Sequence, residues 1–328
     1  MTEVRAAVAS ILQIEDLSVS FDTAAGQVKA ADDVSFVLHR GEALALVGET
    51  GCGKSVVASS IMQLLPRNAI IQGRAVYAGG DLLRLDELEM SRIRGSEIAI
   101  VFQNPSLALN PIIRVGEQIA EMLRIRKGAA VQALQQARAM LSGLGLRGDD
   151  KMRMYPFQFS GGMNQRVMIA ASMILSPRII IADEPSKGLD GALAGEVMAE
   201  MARIKNQSGA SLLLITHDLN LARNISDRIA VMYCGEIVEI GRSEDIFNKP
   251  LHPYTSALLD CLPERGFQPI PGSSPSMINP PSGCKFLPRC PKGFERCRKK
   301  PGMVTVEGMS ATFSGSESMS REVRCWLY

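Results

Sequence analysis

The amino-acid sequence predicts an α/β fold in which buried strands alternate with helices. An apolar run over 43–47 leads into a glycine-rich turn and then into the helix-like segment 56–65. Two further apolar runs, 179–182 and 211–215, each end in polar residues. Short uninterrupted apolar runs are typical of strands that are buried on both faces of a parallel sheet. In such a sheet the crevice that binds ligands lies at the carboxyl ends of the strands.

The composition is that of a globular chain without a strong overall charge. The chain has 328 residues, with 36 Lys and Arg against 34 Asp and Glu, for a net charge of +2. No global field therefore favours nucleic acid or an acidic membrane surface. The apolar runs are far too short to cross a bilayer, and the N-terminus lacks the apolar segment of a secretory signal. We therefore expect a soluble chain that works in the cytoplasm.

Ahead of the buried strands, the pattern predicts a small antiparallel sheet. Residues 11–21 and 34–38 alternate apolar with polar side chains, and 24–27 has the composition of a turn. Phe21 closes the first of these strands. An aromatic ring at that place could stack on a base or pack into the core, and the pattern leaves both interpretations open.

The glycine-rich turn predicts a phosphate-binding site. It reads Gly48-Glu49-Thr50-Gly51-Cys52-Gly53-Lys54-Ser55, and Val56 continues it into the following helix. Small residues let backbone N–H groups converge on phosphate oxygens, and the helix N-terminus adds a favourable dipole. The lysine of this motif can reach the β- and γ-phosphates, and its serine can ligate magnesium. We therefore expect a nucleoside triphosphate site.

Polar side chains follow three of the other predicted strands. Asp183 and Glu184 stand at the end of one, where Asp183 could hold magnesium through water and Glu184 could polarise an attacking water. Gln103 and His217 stand at the ends of two more. A histidine at this edge could contact a γ-phosphate. The carboxyl ends of the strands thus predict a hydrolytic site beside the glycine-rich turn.

A helical subdomain is predicted at about 105–160. Its apolar residues recur at spacings of three and four, as over 115–125. The stretch ends at Ser160, Gly161 and Gly162, which stand at the start of another apolar helix. This is a second glycine-rich helix N-terminus with the character of an anion site, and no local partner for it is evident in the sequence.

The ordered set of motifs resembles the nucleotide-binding subunit of ATP-binding-cassette (ABC) transporters over about residues 9–250. The motifs that carry the resemblance are GETGCGKS at 48–55, Gln103, FSGGM at 159–163, IIIADEP at 179–185, Gly188-Leu189-Asp190 and His217. The resemblance implies a P-loop ABC ATPase core with an antiparallel β subdomain and a helical subdomain.

The resemblance also implies a role for each residue that contacts the nucleotide. By this resemblance Phe21 stacks on adenine, and residues 48–56 bind the phosphates of ATP. Ser55, Gln103 and Asp183 hold Mg²⁺. The implied cofactors are therefore ATP and Mg²⁺.

Catalysis and pairing are implied in the same way. Glu184 is the catalytic base, Gln103 senses the metal and the attacking water, and His217 holds the γ-phosphate. The turn at 160–162 meets the γ-phosphate bound by a second ABC ATPase subunit, so the active form is a head-to-tail pair. We expect the second subunit to be a related, non-identical chain.

The last quarter of the chain predicts a cysteine-rich appendage. Residues 263–282 are rich in proline and predict an extended linker rather than a packed element. Beyond this segment stand Cys284, Cys290, Cys297 and Cys325, with five, six and twenty-seven residues between them. This spacing differs from the paired gaps of common zinc ribbons, so it leaves zinc, an iron–sulfur cluster and unmetallated thiols open. We expect one domain over 1–262 and a second region over 263–328.

A second resemblance concerns this appendage. The run 248–259 is similar to a segment of ATPase subunits from the oligopeptide, dipeptide and nickel importers. Some of those subunits carry a similar cysteine tail that binds a [4Fe–4S] cluster, so the resemblance favours that cluster over Zn²⁺.

The function that these resemblances imply is ATP hydrolysis that drives uptake of di- or oligopeptides, or of nickel or a metal chelate. Two transmembrane permease subunits and an extracytoplasmic substrate-binding protein are the implied partners, with no nucleic acid. The chain would lie peripherally on the cytoplasmic face of the cell membrane. The alternatives are a soluble ABC ATPase of DNA repair or translation, and a redox-regulated ATP-binding protein.

Overall fold

A computed structural model describes residues 9–127, 130–189, 191–306 and 321–328. Asp190, the last residue of the Gly188-Leu189-Asp190 motif, lies outside the described residues. The strands are β1 (Ser10–Thr23), β2 (Gly26–His39), β3 (Ala43–Val47), β4 (Ala69–Tyr77), β5 (Gly80–Asp81), β6 (Ile98–Val101), β7 (Ile179–Asp183), β8 (Ser211–Thr216), β9 (Arg228–Tyr233), β10 (Glu236–Arg242), β11 (Val304–Val306) and β12 (Arg321–Val323).

The α-helices lie mainly between these strands. They are α1 (Lys54–Ile61), α2 (Glu87–Ile93), α3 (Pro105–Ala108), α4 (Val115–Lys127), α5 (Ala130–Gly143), α6 (Asp149–Arg153), α7 (Gly161–Met173), α8 (Gly191–Ser208), α9 (Leu219–Ile225), α10 (Ser243–Asn248) and α11 (Pro253–Asp260). Among the described helices, none combines the length and the hydrophobicity that crossing a bilayer requires.

The chain forms two compact units. One combines Met1–Arg84 with Thr216–Tyr328, and the other spans Leu85–Ile215. The first unit holds the glycine-rich turn and the cysteine-rich tail. The second holds helices α2 to α8 and the strand ends that carry Gln103, Asp183 and Glu184.

The antiparallel sheet that the sequence predicts is present in the first unit. Its strand order is β2-β1-β4-β5. Strands β1 and β2 pair from Ser10 with His39 to Thr23 with Gly26, so both strands are longer than the sequence predicts. The extra residues are mostly polar and show no apolar alternation, but cross-strand hydrogen bonds satisfy their backbone groups.

The first unit also contains strand β3, which leads into the glycine-rich turn. Every residue of β3 and β9 is buried, and the two strands pair in parallel from Leu44 with Arg228 to Val47 with Val231. Strand β9 then pairs with β10 in antiparallel fashion, and β10 continues to β12 and β11. Backbone pairing with β10 therefore joins strands β12 and β11 of the tail to the rest of the first unit.

The proline-rich stretch is extended and has no buried residue, although hydrogen bonds attach it to neighbouring segments. Apart from a 3₁₀ turn at Pro263–Arg265, the stretch has no regular structure up to residue 282. The N–H of Lys29 on β2 donates to the carbonyl oxygen of Met277 at 2.8 Å, and the Cys234 thiol lies 3.8 Å from that of Pro275. Edge N–H groups of β2 supply partners that the sequence pattern does not reveal.

The second unit contains a parallel sheet and the predicted helices. Strand β6 pairs with β7 and β7 pairs with β8, each in parallel register. Helices α4 and α5 pack together through buried side chains that include Ile119, Leu123 and Leu141, and α7 packs against both. The apolar spacing of three and four in this stretch thus corresponds to one buried face on each helix.

Candidate functional site

The glycine-rich turn lies between β3 and α1, as the sequence predicts. Steric contact requires glycine at two of its positions. A Cβ atom at Gly48 would lie 2.1 Å from the carbonyl oxygen of Met232. A Cβ atom at Gly53, where φ is 107°, would lie 2.0 Å from the carbonyl oxygen of Ala30. No side chain fits at such distances, so the backbone of β9 and β2 fixes the shape of the turn.

Lys54 is buried within this turn, with 5% of its surface exposed. Its Nζ donates to the carbonyl oxygens of Gly48 at 2.8 Å and Glu49 at 3.0 Å. The N-cap of α1 is Gly53, which provides no side-chain cap to the N–H groups of the first turn. A buried ammonium beside an uncapped helix N-terminus creates a local positive potential that suits phosphate.

The other side chains of the turn differ in exposure. Thr50, Gly51 and Ser55 are exposed, and Val56 is half-buried. Cys52 is buried, and burial raises the pKa of its thiol although the charge of Lys54 acts in the opposite direction. Cys52 therefore stays a neutral thiol near neutral pH.

Glu49 has two contacts that the sequence did not predict. Its carboxylate oxygens each lie 3.1 Å from Nη1 of Arg289, and its backbone N–H donates to the hydroxyl of Tyr254 at 3.1 Å. Both partners come from the last third of the chain. No local pattern marks either residue, so a contact across 240 positions could not be found from spacing alone.

Two further predicted residues belong to the same unit. Phe21 lies near the end of β1, where it pairs with Val28 and Ala69 on the neighbouring strands, and it is half-buried. His217 directly follows β8 and is exposed. The next residue, Asp218, caps α9 by accepting a hydrogen bond from the N–H of Leu221 at 3.0 Å.

The second unit brings Gln103, Asp183 and Glu184 to one edge of its parallel sheet. Strands β6 and β7 pair Val101 with Ala182, so the residues that follow both strands leave the sheet on the same side. Gln103 and Asp183 are half-buried, whereas Glu184 is buried with 7% of its surface exposed.

The backbone of Glu184 is also unusual. Its φ is 48°, in the left-handed region, and its N–H donates to the carbonyl oxygen of Ile215 at 2.8 Å. Non-glycine residues in this region cost free energy and are found preferentially at functional sites. The neighbouring strand β8 therefore holds Glu184 in a strained conformation at the end of β7.

The second glycine-rich helix N-terminus is the start of α7 in the second unit. Ser160 is its N-cap, and the Oγ atom accepts a hydrogen bond from the N–H of Met163 at 3.3 Å. Ser160 and Gly161 are exposed, and Gly162 is buried. The first turn of α7 is thus capped by a small hydroxyl group and remains accessible at its tip.

The four cysteines of the tail, Cys284, Cys290, Cys297 and Cys325, line one small cavity, together with His252 and Trp326 among others. The N–H of Cys284 donates to the carbonyl oxygen of Cys297 at 2.9 Å. Burial raises the pKa of the Cys284 thiol to about 11, and the nearby cysteines act in the same direction. Across the described residues, no three His, Cys, Asp or Glu side chains are arranged to hold one metal ion. The predicted metal site is therefore not confirmed, although its four predicted ligands are brought together.

Comparison with known proteins identifies the family. Residues 31–187 match the ABC transporter family model, and residues 238–297 match the C-terminal region of oligopeptide/dipeptide transporters. The dipeptide transport ATP-binding protein DppD of Bacillus subtilis is 41% identical over 97% of this chain and 94% of its own length. The chain belongs to the ATP-binding proteins of ABC transporters. As a member of this family it is an ATPase whose hydrolysis is coupled to transport.

Other relatives of this ABC protein agree. The oligopeptide transport ATP-binding protein OppD of Salmonella typhimurium is 39% identical over 89% of each chain. Among solved structures, the dimeric ABC transporter cassette MJ0796 is 25% identical and matches with a TM-score of 0.64, over 71% of this chain and 99% of its own. A second structure shows the same cassette as a dimer in a post-hydrolysis state with ADP and Pi. The predicted ABC ATPase fold is therefore confirmed for the core. The cysteine-rich appendage is not covered by that confirmation.

Proposed function

We propose that this chain hydrolyses ATP to power import of dipeptides or oligopeptides. The observation that carries the proposal is the extent of the likeness to peptide transport ATP-binding proteins, which includes the C-terminal region as well as the nucleotide-binding core. A soluble ABC ATPase of DNA repair or translation gains no support from these relatives.

The first unit supplies Phe21 and the glycine-rich turn to the proposed nucleotide site. Phe21 stacks on adenine, and residues 48–56 bind the phosphates, with the Lys54 amine exchanging loop carbonyls for phosphate oxygens. Such an exchange is supported by the position of Nζ within the turn and by the uncapped start of α1. The bound phosphates would neutralise the local positive potential of the turn.

Residues at strand ends, together with Ser55 of α1, are the proposed ligands of magnesium, and a strand-end residue activates the attacking water. Ser55, Gln103 and Asp183 would hold Mg²⁺, whose preference for oxygen ligands fits their hydroxyl, amide and carboxylate groups. Glu184 acts as the base that activates water. Its burial and its fixed, strained backbone support this role, because a general base has to be held in position.

His217 and the start of α7 serve the γ-phosphate. His217 contacts it within one subunit, and the 160–162 turn contacts the nucleotide bound by a second ABC ATPase subunit. The exposed tip of α7 supports this role, as does the dimeric state of the related MJ0796 cassette. The second subunit is a related, non-identical chain.

The permease subunits dock on the helical part of the second unit, near Gln103. Four large apolar side chains are exposed there: Phe102, Leu107, Ile112 and Phe157, with exposures of 42%, 85%, 82% and 72%. A backbone hydrogen bond from Val115 to Met154 joins the two segments that carry them. Large exposed apolar residues on segments joined in this way are a feature of interaction surfaces. Among the described helices, none could cross a bilayer. By its likeness to peptide transport ATP-binding proteins, the chain would lie peripherally on the cytoplasmic face, with an extracytoplasmic binding protein delivering the peptide.

The group assigned to the cysteine-lined cavity is a [4Fe–4S] cluster, which Cys284, Cys290, Cys297 and Cys325 would hold. Zinc holds four thiolates at about 2.3 Å, which requires their sulfur atoms to stand about 3.8 Å apart. A four-iron cluster carries its thiolates on separate irons and so accepts a wider set of four cysteines around one cavity. Iron would also offset the cost of ionising thiols whose pKa burial raises.

The proposed cargo is tested by uptake into proteoliposomes that contain the assembled transporter with its permeases and binding protein. We expect MgATP-dependent accumulation of a radiolabelled dipeptide or oligopeptide. Glu184→Gln should abolish that accumulation. Accumulation of nickel, with no accumulation of peptide, would overturn the assignment.

A further inference from the structure

We propose that the cysteine-lined cavity tunes the affinity of the nucleotide site through two connections that converge on Glu49. Arg289 and Tyr254 are the positioning residues of these connections. The inference rests on the proposed phosphate site at 48–56. All of the residues concerned lie in the first unit.

The first connection runs through the residue before Cys290. Nη1 of Arg289 lies 3.1 Å from both carboxylate oxygens of Glu49 and 3.3 Å from the hydroxyl of Tyr233. Its Nε donates to the carbonyl oxygen of Pro271 at 3.0 Å. The Arg289 side chain is 6% exposed. An arginine with its donors fixed on both sides cannot follow a displacement of Cys290 without moving Glu49.

The second connection runs through an aromatic cluster. The His252 ring lines the cysteine cavity, and its Nδ1 accepts a hydrogen bond from the N–H of Tyr254 at 3.0 Å. The Tyr254 ring packs against Phe286 and Tyr233 with centroid separations of 5.4 and 4.4 Å. The hydroxyl at its far end accepts from the N–H of Glu49 at 3.1 Å. Tyr254 and Phe286 are almost fully buried, so this cluster transmits displacement as a packed body.

A movement of Glu49 affects the phosphate site because the Glu49 carbonyl oxygen accepts two hydrogen bonds within the turn. Its carbonyl oxygen accepts from Nζ of Lys54 at 3.0 Å and from the N–H of Cys52 at 3.3 Å. The two connections therefore hold Glu49 by its carboxylate and its N–H, while its carbonyl oxygen orients the lysine that binds phosphate. A shift of Glu49 repositions that ammonium and the loop N–H groups.

Basic residues beside two other cavity cysteines form ion pairs with strand β2, which lies in the same unit. Lys285, next to Cys284, pairs with Asp32 at 2.7 Å, and Arg324, next to Cys325, pairs with Asp33 at 2.9 Å. These ion pairs hold the segments around Cys284 and Cys325 against β2. A displacement that starts at the cavity therefore moves the segment around Cys290, which carries Arg289. The basic residue beside the fourth cysteine is different: Arg298 is 74% exposed and pairs with Glu295, three residues away.

The test measures the Kd of a fluorescent ATP analogue with Mg²⁺ on the full-length chain. Arg289→Gln and Tyr254→Phe should each weaken binding about threefold to tenfold, the usual worth of a hydrogen bond. Arg298→Gln, the matched control, should leave the Kd unchanged. Glu49→Gln, at a side chain 27% exposed, removes the same ion pair without altering Arg289 and should reproduce the Arg289→Gln effect.

Coupling to the cavity is tested with Cys290→Ser, alone and combined with Arg289→Gln. If the first connection transmits the effect, Cys290→Ser weakens binding in the parent chain and adds less in the Arg289→Gln background. Additive effects would overturn the inference, as would an unchanged Kd in both Arg289→Gln and Tyr254→Phe.

Failure of the proposed phosphate site has a separate outcome. Lys54→Ala should abolish binding of the analogue. If Lys54→Ala binds normally, the phosphate site is wrong. If Lys54→Ala abolishes binding and the Arg289 and Tyr254 variants bind normally, only the coupling is wrong.

Discussion

The carboxylate of Asp32 on β2 lies 2.7 Å from Nζ of Lys285, the residue that follows Cys284. Nζ of Lys300 approaches the same carboxylate at 3.3 Å. Burial opposes ionisation of Asp32, but the hydrogen bond from Lys285 and the charges of both lysines outweigh it and lower the pKa from 3.8 to about 2. The antiparallel sheet and the cysteine tail are thus joined by an ion pair that depends on pH.

Asp32→Asn should lower the free energy of unfolding by about 1 kcal/mol at neutral pH, after allowance for solvent screening. Because the native pKa is depressed, this contribution is complete above the ordinary pKa and is lost as the pH falls toward 2. Denaturant titrations of parent and variant at neutral pH and at about pH 3 measure the difference.

The control for this prediction is Asp22→Asn, in the same sheet, whose carboxylate accepts a hydrogen bond from Gln27 at 3.3 Å. Its effect on unfolding should be small at both pH values. A difference between parent and Asp32→Asn that stayed constant from neutral to acid pH would contradict the ion-pair account.

Gly53→Ala should damage both the turn and its ligand binding. The new Cβ would lie 2.0 Å from the carbonyl oxygen of Ala30, so the turn or β2 has to move. We expect a loss of about 1–3 kcal/mol in unfolding free energy and at least a tenfold loss of MgATP affinity, about what such a clash costs. Calorimetry of nucleotide binding and thermal unfolding measure both. Gly195→Ala, inside helix α8 where a Cβ would meet nothing within 4 Å, should leave MgATP affinity unchanged and raise the unfolding free energy by about 0.5–1 kcal/mol.

Local and long-range features of this protein differed in how well they could be predicted. The turn at 48–55 was predicted because a short apolar strand, a run of glycines and a helix are adjacent in sequence. The position of Glu184 was predicted because it stands at the end of a short apolar run. Strand β9 was not identified, although its apolar run is visible in the sequence. The pairing of Arg289 with Glu49 depends on how the tail folds back, and no periodicity encodes that.

Leu107→Asp should uncouple the chain from its permeases. The side chain is 85% exposed, so a charge there costs the isolated fold little while spoiling an apolar docking surface. We expect loss of co-purification with the permease subunits and of peptide-stimulated ATP hydrolysis, with nucleotide binding retained. The matched control is Leu88→Asp, on α2 of the same unit and 64% exposed, which should co-purify normally. Normal assembly of Leu107→Asp would place the docking surface elsewhere.

Protein purified without oxygen should contain about four iron atoms and matching sulfide per chain, and Cys290→Ser should lose most of both. Metal and acid-labile sulfide analysis provides the measurement. Cys261→Ser is the control, since the Cys261 thiol lies 3.4 Å from the carbonyl oxygen of Ala257 and is not among the four tail cysteines that line the cavity. Stoichiometric zinc, or equal iron in both variants, would contradict the cluster assignment.

The central claim is that Glu184 activates water for ATP hydrolysis that drives peptide import. Its most direct test is the steady-state ATP turnover of the reconstituted transporter with parent and Glu184→Gln subunits, at saturating peptide and peptide-binding protein. Removal of a general base should lower turnover by about a hundredfold or more while MgATP still binds. Turnover equal to that of the parent would show that Glu184 is not the base.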